Sequence, residues 1–300
     1  MSKTIIVDGN SIGYAAQHAT KLNSGGMETQ AVFGSLKTMR ELRLTYYASN
    51  IVVLWDGLAK WRYDIHPEYK SNRTDDPKKV EVKKAYYGQR EYIKKCYEAL
   101  GIRQMTASTH EADDLAGILV GLLTQVPENE IVLISGDRDW IQLVKHNVTW
   151  RDLRDDSRVI NSSNFFDKTA YKTPYAFLEG KALQGDNSDC IPGVGGIGEK
   201  GAPELLAEFG SVRNFWKMCD SGEFKPLRKP HIRLCSAEGR MIFGRNLRLM
   251  QLLKVPSPKK EDVELLSGSL NKEKFIELCE ELAFGSILKN VDGFIQDFKE

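Results

Sequence analysis

Glu111-Ala112-Asp113-Asp114 is the stretch that decides how this chain reads. It puts three carboxylates within four residues, directly ahead of Leu115, Ile118, Leu119 and Leu122, whose spacing predicts an amphipathic helix. Unpaired N–H groups at a helix N-terminus favour negative charge, so an acidic first turn with no other task would look the same. The rest of the chain separates the two readings. Ile5-Ile6-Val7-Asp8, Val52-Val53-Leu54-Trp55-Asp56 and the run from Ile131 to Asp137 and Asp139 are apolar runs that end in Asp, and Asp186 with Asp189 adds a further pair. Carboxylates gathered at several strand ends repel one another unless cations lie between them. That arrangement suggests a Mg²⁺ site.

Composition sets the frame. The 300 residues, 41% hydrophobic and 28% charged, fit one large soluble domain or two smaller ones. The formal net charge is +1, so nucleic-acid contact would have to rest on local segregation of charge. Five scattered cysteines without a C-x-x-C argue against a disulfide framework or zinc site and fit a reducing cytoplasm. The N-terminus runs straight into a strand pattern with no signal peptide. No apolar run is long enough to span a bilayer, so a cytoplasmic location without membrane contact is expected.

Along the chain, Thr4 to Val7 reads as a buried parallel strand, with Asp8-Gly9-Asn10 leaving its carboxyl end, where sites lie in open α/β sheets. A helix is predicted over 30–48 and a strand over 51–55. Between 70 and 95, nine Lys and Arg face four Asp and Glu, with Tyr69, Tyr86, Tyr87 and Tyr92 interleaved. A solvated helix face is the plain explanation of a charge run. One-signed charge mixed with aromatics also suits single-stranded nucleic acid, phosphates on the cations and bases on the rings. Pro77 and weak apolar periodicity suggest that 74–84 is mobile without ligand. A strand over 130–134 leads into Ser135-Gly136-Asp137-Arg138-Asp139, whose D-x-D spacing can aim two carboxylates at one cation. After about residue 165 the strands are expected to stop. A helix over 174–184 precedes Asp186-Asn187-Ser188-Asp189. The glycine-rich run from Gly193 to Gly198 then enters a helix near Ala202, where backbone N–H groups would suit a phosphate. The run is not G-x-x-x-x-G-K-[ST] and so is no P-loop. A helix-hairpin-helix gripping a DNA backbone fits the spacing better.

With these residues in hand, the chain resembles the 5′ nuclease (flap endonuclease) family, most narrowly the stand-alone bacteriophage 5′-3′ exonucleases. The matching motifs are Val7-Asp8-Gly9-Asn10, Trp55-Asp56, His66 to Arg73, Glu111 to Asp114, Ser135 to Trp140, Gly185 to Asp189 and Gly193 to Gly198, ordered as in the family and covering about residues 4–215. The resemblance implies an α/β fold with a PIN-like, mostly parallel central sheet and flanking helices. It implies a nuclease core over 1–170 with a helical arch at about 66–100. A helical DNA-binding region over 171–300 would carry the helix-hairpin-helix turn at about 185–210. No attached polymerase domain is expected.

The resemblance also assigns roles. Asp8, Asp56, Glu111, Asp113 and Asp114 look like an inner metal cluster, and Asp137, Asp139, Asp186 and Asp189 a second acidic group. Lys70 and Arg73 would touch the scissile phosphate and count, with Asp8 and Asp114, as catalytic. Tyr69 would stack on a base, and the 74–95 tract with Lys83 and Lys84 would form the arch. Gly193, Gly195, Gly196, Gly198 and Lys200 would hold duplex phosphates, with K⁺ in the turn. Two departures stand out: Ala15 and Gly201, where some members carry basic residues. The implied reaction is hydrolysis of phosphodiesters at 5′ ends and flap junctions by two Mg²⁺, or Mn²⁺ in their place, about 4 Å apart. RNA–DNA hybrids are included, as in primer removal during replication. A monomer working beside a single-strand binding protein or clamp fits that role, although no docking motif is visible. A non-catalytic DNA-binding protein of the same fold is the main alternative, and the complete acidic set argues against it. A shorter PIN-like ribonuclease would lack the glycine turn, and an Asp-nucleophile phosphatase would need a second Asp after Asp8.

Overall fold

The computed structural model describes residues 3–48, 50–74 and 77–299, and the side chains of all of these except 73, 74 and 77–79. Seven strands form the main sheet: β1 (Lys3–Asp8), β2 (Asn50–Trp55), β3 (Arg103–Ala107), β4 (Glu130–Ile134), β5 (Val148–Arg151), β6 (Val159–Ile160) and β7 (Val263–Leu266). Their order is β7-β3-β2-β1-β4-β5-β6. The five strands from β3 to β5 are mutually parallel, and β7 and β6 run antiparallel on the two edges. A doubly wound sheet changes direction beside β1, and ligands bind outside the carboxyl ends at such a switch point.

Continuous apolar strands are what a sheet covered on both faces requires. Ile6, Leu54 and Leu133 point into one buried cluster, and Ile5, Val7, Val53 and Ile134 into the other. The first cluster packs against the helices Ala112–Leu123, Pro174–Gln184, Gly201–Phe209 and Ala237–Met250. The second lies under Gln30–Tyr46 and the long helix Pro77–Ala99.

The structure gives the arch tract its form and changes one expectation. After residue 76 the chain is helical. Pro77 opens an unbroken helix to Ala99, the position where proline's missing N–H and fixed φ are harmless. Tyr86, Gln89, Ile93, Cys96 and Tyr97 anchor its second half by burial at helical spacing; the charged first half hid that pattern. The strands do not stop at 165. β7 joins the sheet beside β3, and Phe275, Leu278, Phe284, Ile287 and Phe294 fill the second core cluster. Residues 263–298 thus belong to the sheet's own core rather than to a separate helical region. Arg40 and Asp297 tie this segment to the 30–46 helix by an ion pair at 2.5 Å. Leu265, two-thirds exposed, gives β7 a weak apolar signature, which explains why the strand was not legible.

Candidate active site

The carboxylates converge at the carboxyl ends of β1, β2 and β4. Asp8 ends β1 and caps the Gly9–Ala19 helix: Oδ1 accepts from the Ser11 N–H at 2.9 Å, and Oδ2 accepts from Ser135 Oγ at 2.8 Å. Asp56 follows β2. Its Oδ1 accepts from the Ala112 N–H at 2.9 Å and its Oδ2 from Asn10 Nδ2 at 2.8 Å. Asn10 in turn accepts from the buried Tyr86 hydroxyl at 2.9 Å, which links the 77–99 helix to the acidic rim. Gly57 keeps the chain close here, since a methyl group would collide with the Ala107 carbonyl. Trp140 Nε1 donates to Asp113 Oδ1 at 2.6 Å, and Asp137 Oδ1 accepts from the Asp139 N–H at 2.8 Å. Each carboxylate is aimed by a donor that leaves it further lone pairs.

Crowding shows in the proton affinities. Burial first and the Asp56 charge second push Asp8 up to about 6. Asp113 is raised well above the usual carboxylate range by burial and then by Asp137, Asp56 and Glu111. Asp137 faces the open cleft, yet the surrounding protein and then Asp139 push it up to about 7.

Three internal cations organise the remaining acids. Lys70 Nζ lies 2.6 Å from Glu111 Oε1 and 3.9 Å from Asp189, and its backbone N–H donates to the Asp189 carbonyl at 3.0 Å. Lys70 adopts φ 57°, a left-handed conformation strained for a side chain and concentrated at functional sites. Lys181 Nζ lies 2.7 Å from Asp139 Oδ1 and 3.2 Å from Asp186 Oδ2. Arg62 grips Asp114 through two bonds of 2.6 and 2.8 Å, reaches Glu111 at 3.2 Å, and donates Nε to the Leu249 carbonyl at 2.9 Å. Burial opposes charge on Glu111, but Lys70 and then Arg62 outweigh it and hold its pKa below the usual range.

Asp113, Asp139, Asp186 and Asp189 line one narrow cleft. Asp8, Asp137, Ala15, His18 and Arg154 line a wider one beside it. The clustered acids offer carboxylate oxygens, which suit a hard divalent cation. Among the described residues no three such side chains close on one point; Lys70 lies between Glu111 and Asp189, and Lys181 between Asp139 and Asp186.

Two assignments need correction. Tyr69 is 3% exposed, and its hydroxyl donates to Glu111 Oε2 at 2.9 Å, so its ring is not presented to a base. Asp114 is fully buried, with both oxygens held by Arg62 and one also accepting the Glu111 N–H at 3.0 Å; it is turned away from the rim. The Arg73 side chain lies outside the described residues. Lys83 and Lys84 sit on the 77–99 helix, Lys84 exposed and Lys83 half-buried with its amine 5.7 Å over the Tyr87 ring.

The glycine-rich turn joins this centre through a short antiparallel pair, Gly185–Asp186 with Ile191–Pro192. Gly195 and Gly196 take φ of 99° and 75°, and a methyl group at Gly193 would collide with the Gln184 carbonyl. Gly198 has open space where a side chain would stand, and Lys200 is exposed at the start of the 201–209 helix. Sequence reasoning missed Arg62, Lys181, Asn10, Ser135, Trp140 and Arg154 as parts of the site. Asn10, Ser135 and Trp140 lie inside quoted motifs. Nothing in the local pattern marks Arg62, Lys181 or Arg154.

A mostly parallel sheet with acids on its carboxyl rim and a glycine turn beside it is the scaffold of a nuclease. Family models agree along the chain: residues 3–170 match the 5'-3' exonuclease N-terminal resolvase-like domain, and 172–251 the 5'-3' exonuclease C-terminal SAM fold. The chain belongs to the 5'-3' exonuclease family and is a nuclease. It is 33% identical over 221 residues to a 5'-3' exonuclease of Bacillus subtilis, covering 70% of this chain and 72% of that one. It is 30% identical over 306 residues to DNA polymerase I of Chloroflexus aurantiacus, covering 97% of this chain and 31% of the polymerase, so it spans about a third of that relative. In fold it is similar to bacteriophage T5 5'-exonuclease with bound zinc, with a TM-score of 0.72, 22% identity, and coverage of 99% of this chain and 98% of that one. A bacteriophage T5 flap endonuclease variant, in a pseudo-enzyme-product complex with DNA and metal ions, gives 0.71, 20%, 99% and 100%.

Proposed function

We propose that this chain is a divalent-metal-dependent nuclease that hydrolyses DNA phosphodiesters at free 5′ ends and at the junctions of 5′ flaps. The observation that carries this reading is the set of mutually repelling carboxylates, each aimed by its own donor, at the sheet's switch point. Asp8, Asp56, Asp113 and Asp137 would hold one ion, and Asp139, Asp186 and Asp189 with Asp113 a second. Bound Mg²⁺ or Mn²⁺ supplies a water of lowered pKa and charge stabilisation for the attacking and leaving oxygens. Lys70, freed from Glu111, offsets charge on the scissile phosphate, and Arg73 would do the same. Asp114 acts through Arg62, which fixes Glu111 and the 237–250 helix relative to the acids. Arg154, held by Asp152 at 2.8 Å and by the Gly136 carbonyl at 3.0 Å, faces the cleft lined by Ala15 and supplies a phosphate contact there.

The turn over 193–198 with Lys200 grips duplex phosphates. Its four glycines leave backbone open to close approach, while Val194 and Ile197 anchor the turn in the core, and a K⁺ ion suits that place as the bridge. Lys83 and Lys84 on the 77–99 helix lead the 5′ single strand. Phosphodiester chemistry at this rim does not depend on the 2′ position, so a 5′ RNA stretch on DNA is included among the substrates. A monomer acting in replication is the corresponding setting. Among the described residues no helix is long and apolar enough to cross a membrane.

The test is a 5′-labelled flap substrate with Mg²⁺ and with EDTA, for wild type and Asp113→Asn. Mg²⁺-dependent cutting near the junction, lost in the variant while DNA binding survives, supports the reading. DNA binding without cutting under any divalent metal leaves the non-catalytic alternative.

A further inference from the structure

The second acidic group contains its own cation. Lys181 projects from the last turn of the Pro174–Gln184 helix, and its ammonium bridges Asp139 at 2.7 Å and Asp186 at 3.2 Å. Three-quarters of the side chain is covered. Burial alone would lower its pKa, but Asp139, then Asp186 and Asp137, more than reverse that, so the amine stays charged. Asp186 is pinned by the Ser188 N–H at 2.8 Å and the Ser188 hydroxyl at 2.6 Å, so its second oxygen is the one turned to the lysine. Both carboxylates line the cleft that also holds Asp113 and Asp189.

We propose that Lys181 is a resident counter-ion of the second metal position: it holds Asp139 and Asp186 together and is displaced when a divalent ion binds there. The inference rests on the metal-nuclease reading above. Its basis is that ammonium and metal compete for the same oxygens. A carboxylate-bound Mg²⁺ lies at about 2.1 Å from its oxygens, inside the reach of the bridging ammonium, and two cations cannot share that space without strong repulsion. At the position formed by Asp8, Asp56, Asp113 and Asp137 the carboxylates are held by neutral donors (the N–H groups of Ser11, Ala112 and Asp139 and the Trp140 indole), whereas Lys181 sits directly between two ligands of the second. The two positions are therefore unequal. The first fills from free metal alone, while the second fills against Lys181 and is completed when a substrate phosphate adds oxygens. The flexible four-carbon stem then lets the released ammonium turn toward that phosphate. Lys181 is thus a positioning residue that sets the order of loading.

The experiment is a Mn²⁺ titration of the DNA-free full chain, followed by the electron paramagnetic resonance signal of free Mn²⁺. Wild type, Lys181→Met, Lys181→Gln, Lys181→Arg and Asp139→Asn are compared, each first checked for a cooperative melt. Wild type is expected to show one tighter and one weaker class of site. Loss of the weaker class in Asp139→Asn assigns it. Lys181→Met and Lys181→Gln should tighten only that class, by roughly tenfold, in the range that groups behind a metal ligand command, and Lys181→Arg should keep it weak. An unchanged or weakened second class in both neutral variants overturns the lysine's role while leaving the nuclease reading intact. Absence of any saturable Mn²⁺ binding in wild type overturns the metal reading itself.

Discussion

Arg62 and Asp114 form a two-bond ion pair, at 2.6 and 2.8 Å, with 3% and 0% of their side chains exposed. The pair joins the first turn of the 112–123 helix to the Leu249 carbonyl and so locks the two helical groups on one face of the sheet. Removing one member of a buried pair strands the other charge and costs about 3 to 5 kcal/mol. Asp114→Ala should lower the urea-unfolding free energy by about that amount. Asp113→Asn, which removes a repelling charge, should leave the metal-free protein at least as stable as wild type. Urea melts in EDTA read both; equal losses would dissolve the distinction drawn between these neighbours.

Lys70, paired with Glu111 at 2.6 Å, is the cation proposed to face the scissile phosphate. Lys70→Ala should reduce kcat by about 10²- to 10³-fold, the effect of removing one preorganised donor, with duplex affinity changed far less. Single-turnover cutting and filter binding separate the two. A loss confined to binding would move Lys70 out of the chemical step.

Metal binding should depend on pH. Asp8, at about 6, and Asp137, at about 7, hold protons in the metal-free fold at pH 5 and must lose them to ligate an ion. Mg²⁺ should therefore raise Tm more at pH 8 than at pH 5. A scan at the two pH values with saturating Mg²⁺ and with EDTA measures the difference, and a larger shift at pH 5 would contradict it.

Glu179 gives a separate pH signature away from the rim. It is 2% exposed; one oxygen accepts from the Val212 N–H at 3.3 Å and the other has no hydrogen-bond partner among the described residues. Burial pushes it up to about 7 from 4.5. The folded state binds the proton more tightly than the unfolded chain, so the protonated form's stabilisation is complete below about 4.5 and is lost as pH rises through 7. By pH 8 the loss amounts to about 3 kcal/mol. Glu179→Gln should be the more stable protein at pH 8 and should flatten the stability–pH profile between 5 and 8.

The glycine turn offers a paired test. Gly193→Ala collides with the Gln184 carbonyl and should lower Tm. Gly198→Ala meets open space and an ordinary backbone conformation and should leave Tm unchanged. If the turn lies against duplex phosphates, Gly198→Ala still weakens duplex binding. An unaltered Kd would remove Gly198 from the interface.

Strand ends were legible in the sequence because burial on both faces leaves an unmistakable apolar run, as at Ile5 to Val7 and Ile131 to Ile134, and the Asp that follows is read at once. What stayed hidden were the cations. Arg62 sits in the polar stretch Trp61-Arg62-Tyr63-Asp64, and Lys181 in a helix with no charge pattern, so only the tertiary fold reveals that each neutralises acids far away in the chain. Tyr69 misled for a related reason: an aromatic beside Lys70 looks like a stacking platform, but the fold buries its ring against Tyr63 and uses its hydroxyl.

The pairing of β7 with β3 has a consequence for synthesis on the ribosome. Ala107 ends β3 and Val263 begins β7, and at ~5 to 20 residues per second the interval between them lasts on the order of ten seconds. Throughout it the nascent chain carries an unpaired strand edge and an incomplete second core, to which Phe275, Leu278, Phe284, Ile287 and Phe294 have yet to be added. The nuclease is assembled last at the margin of its own sheet, so translation halted before residue 263 releases a sticky, unfinished chain rather than an active enzyme.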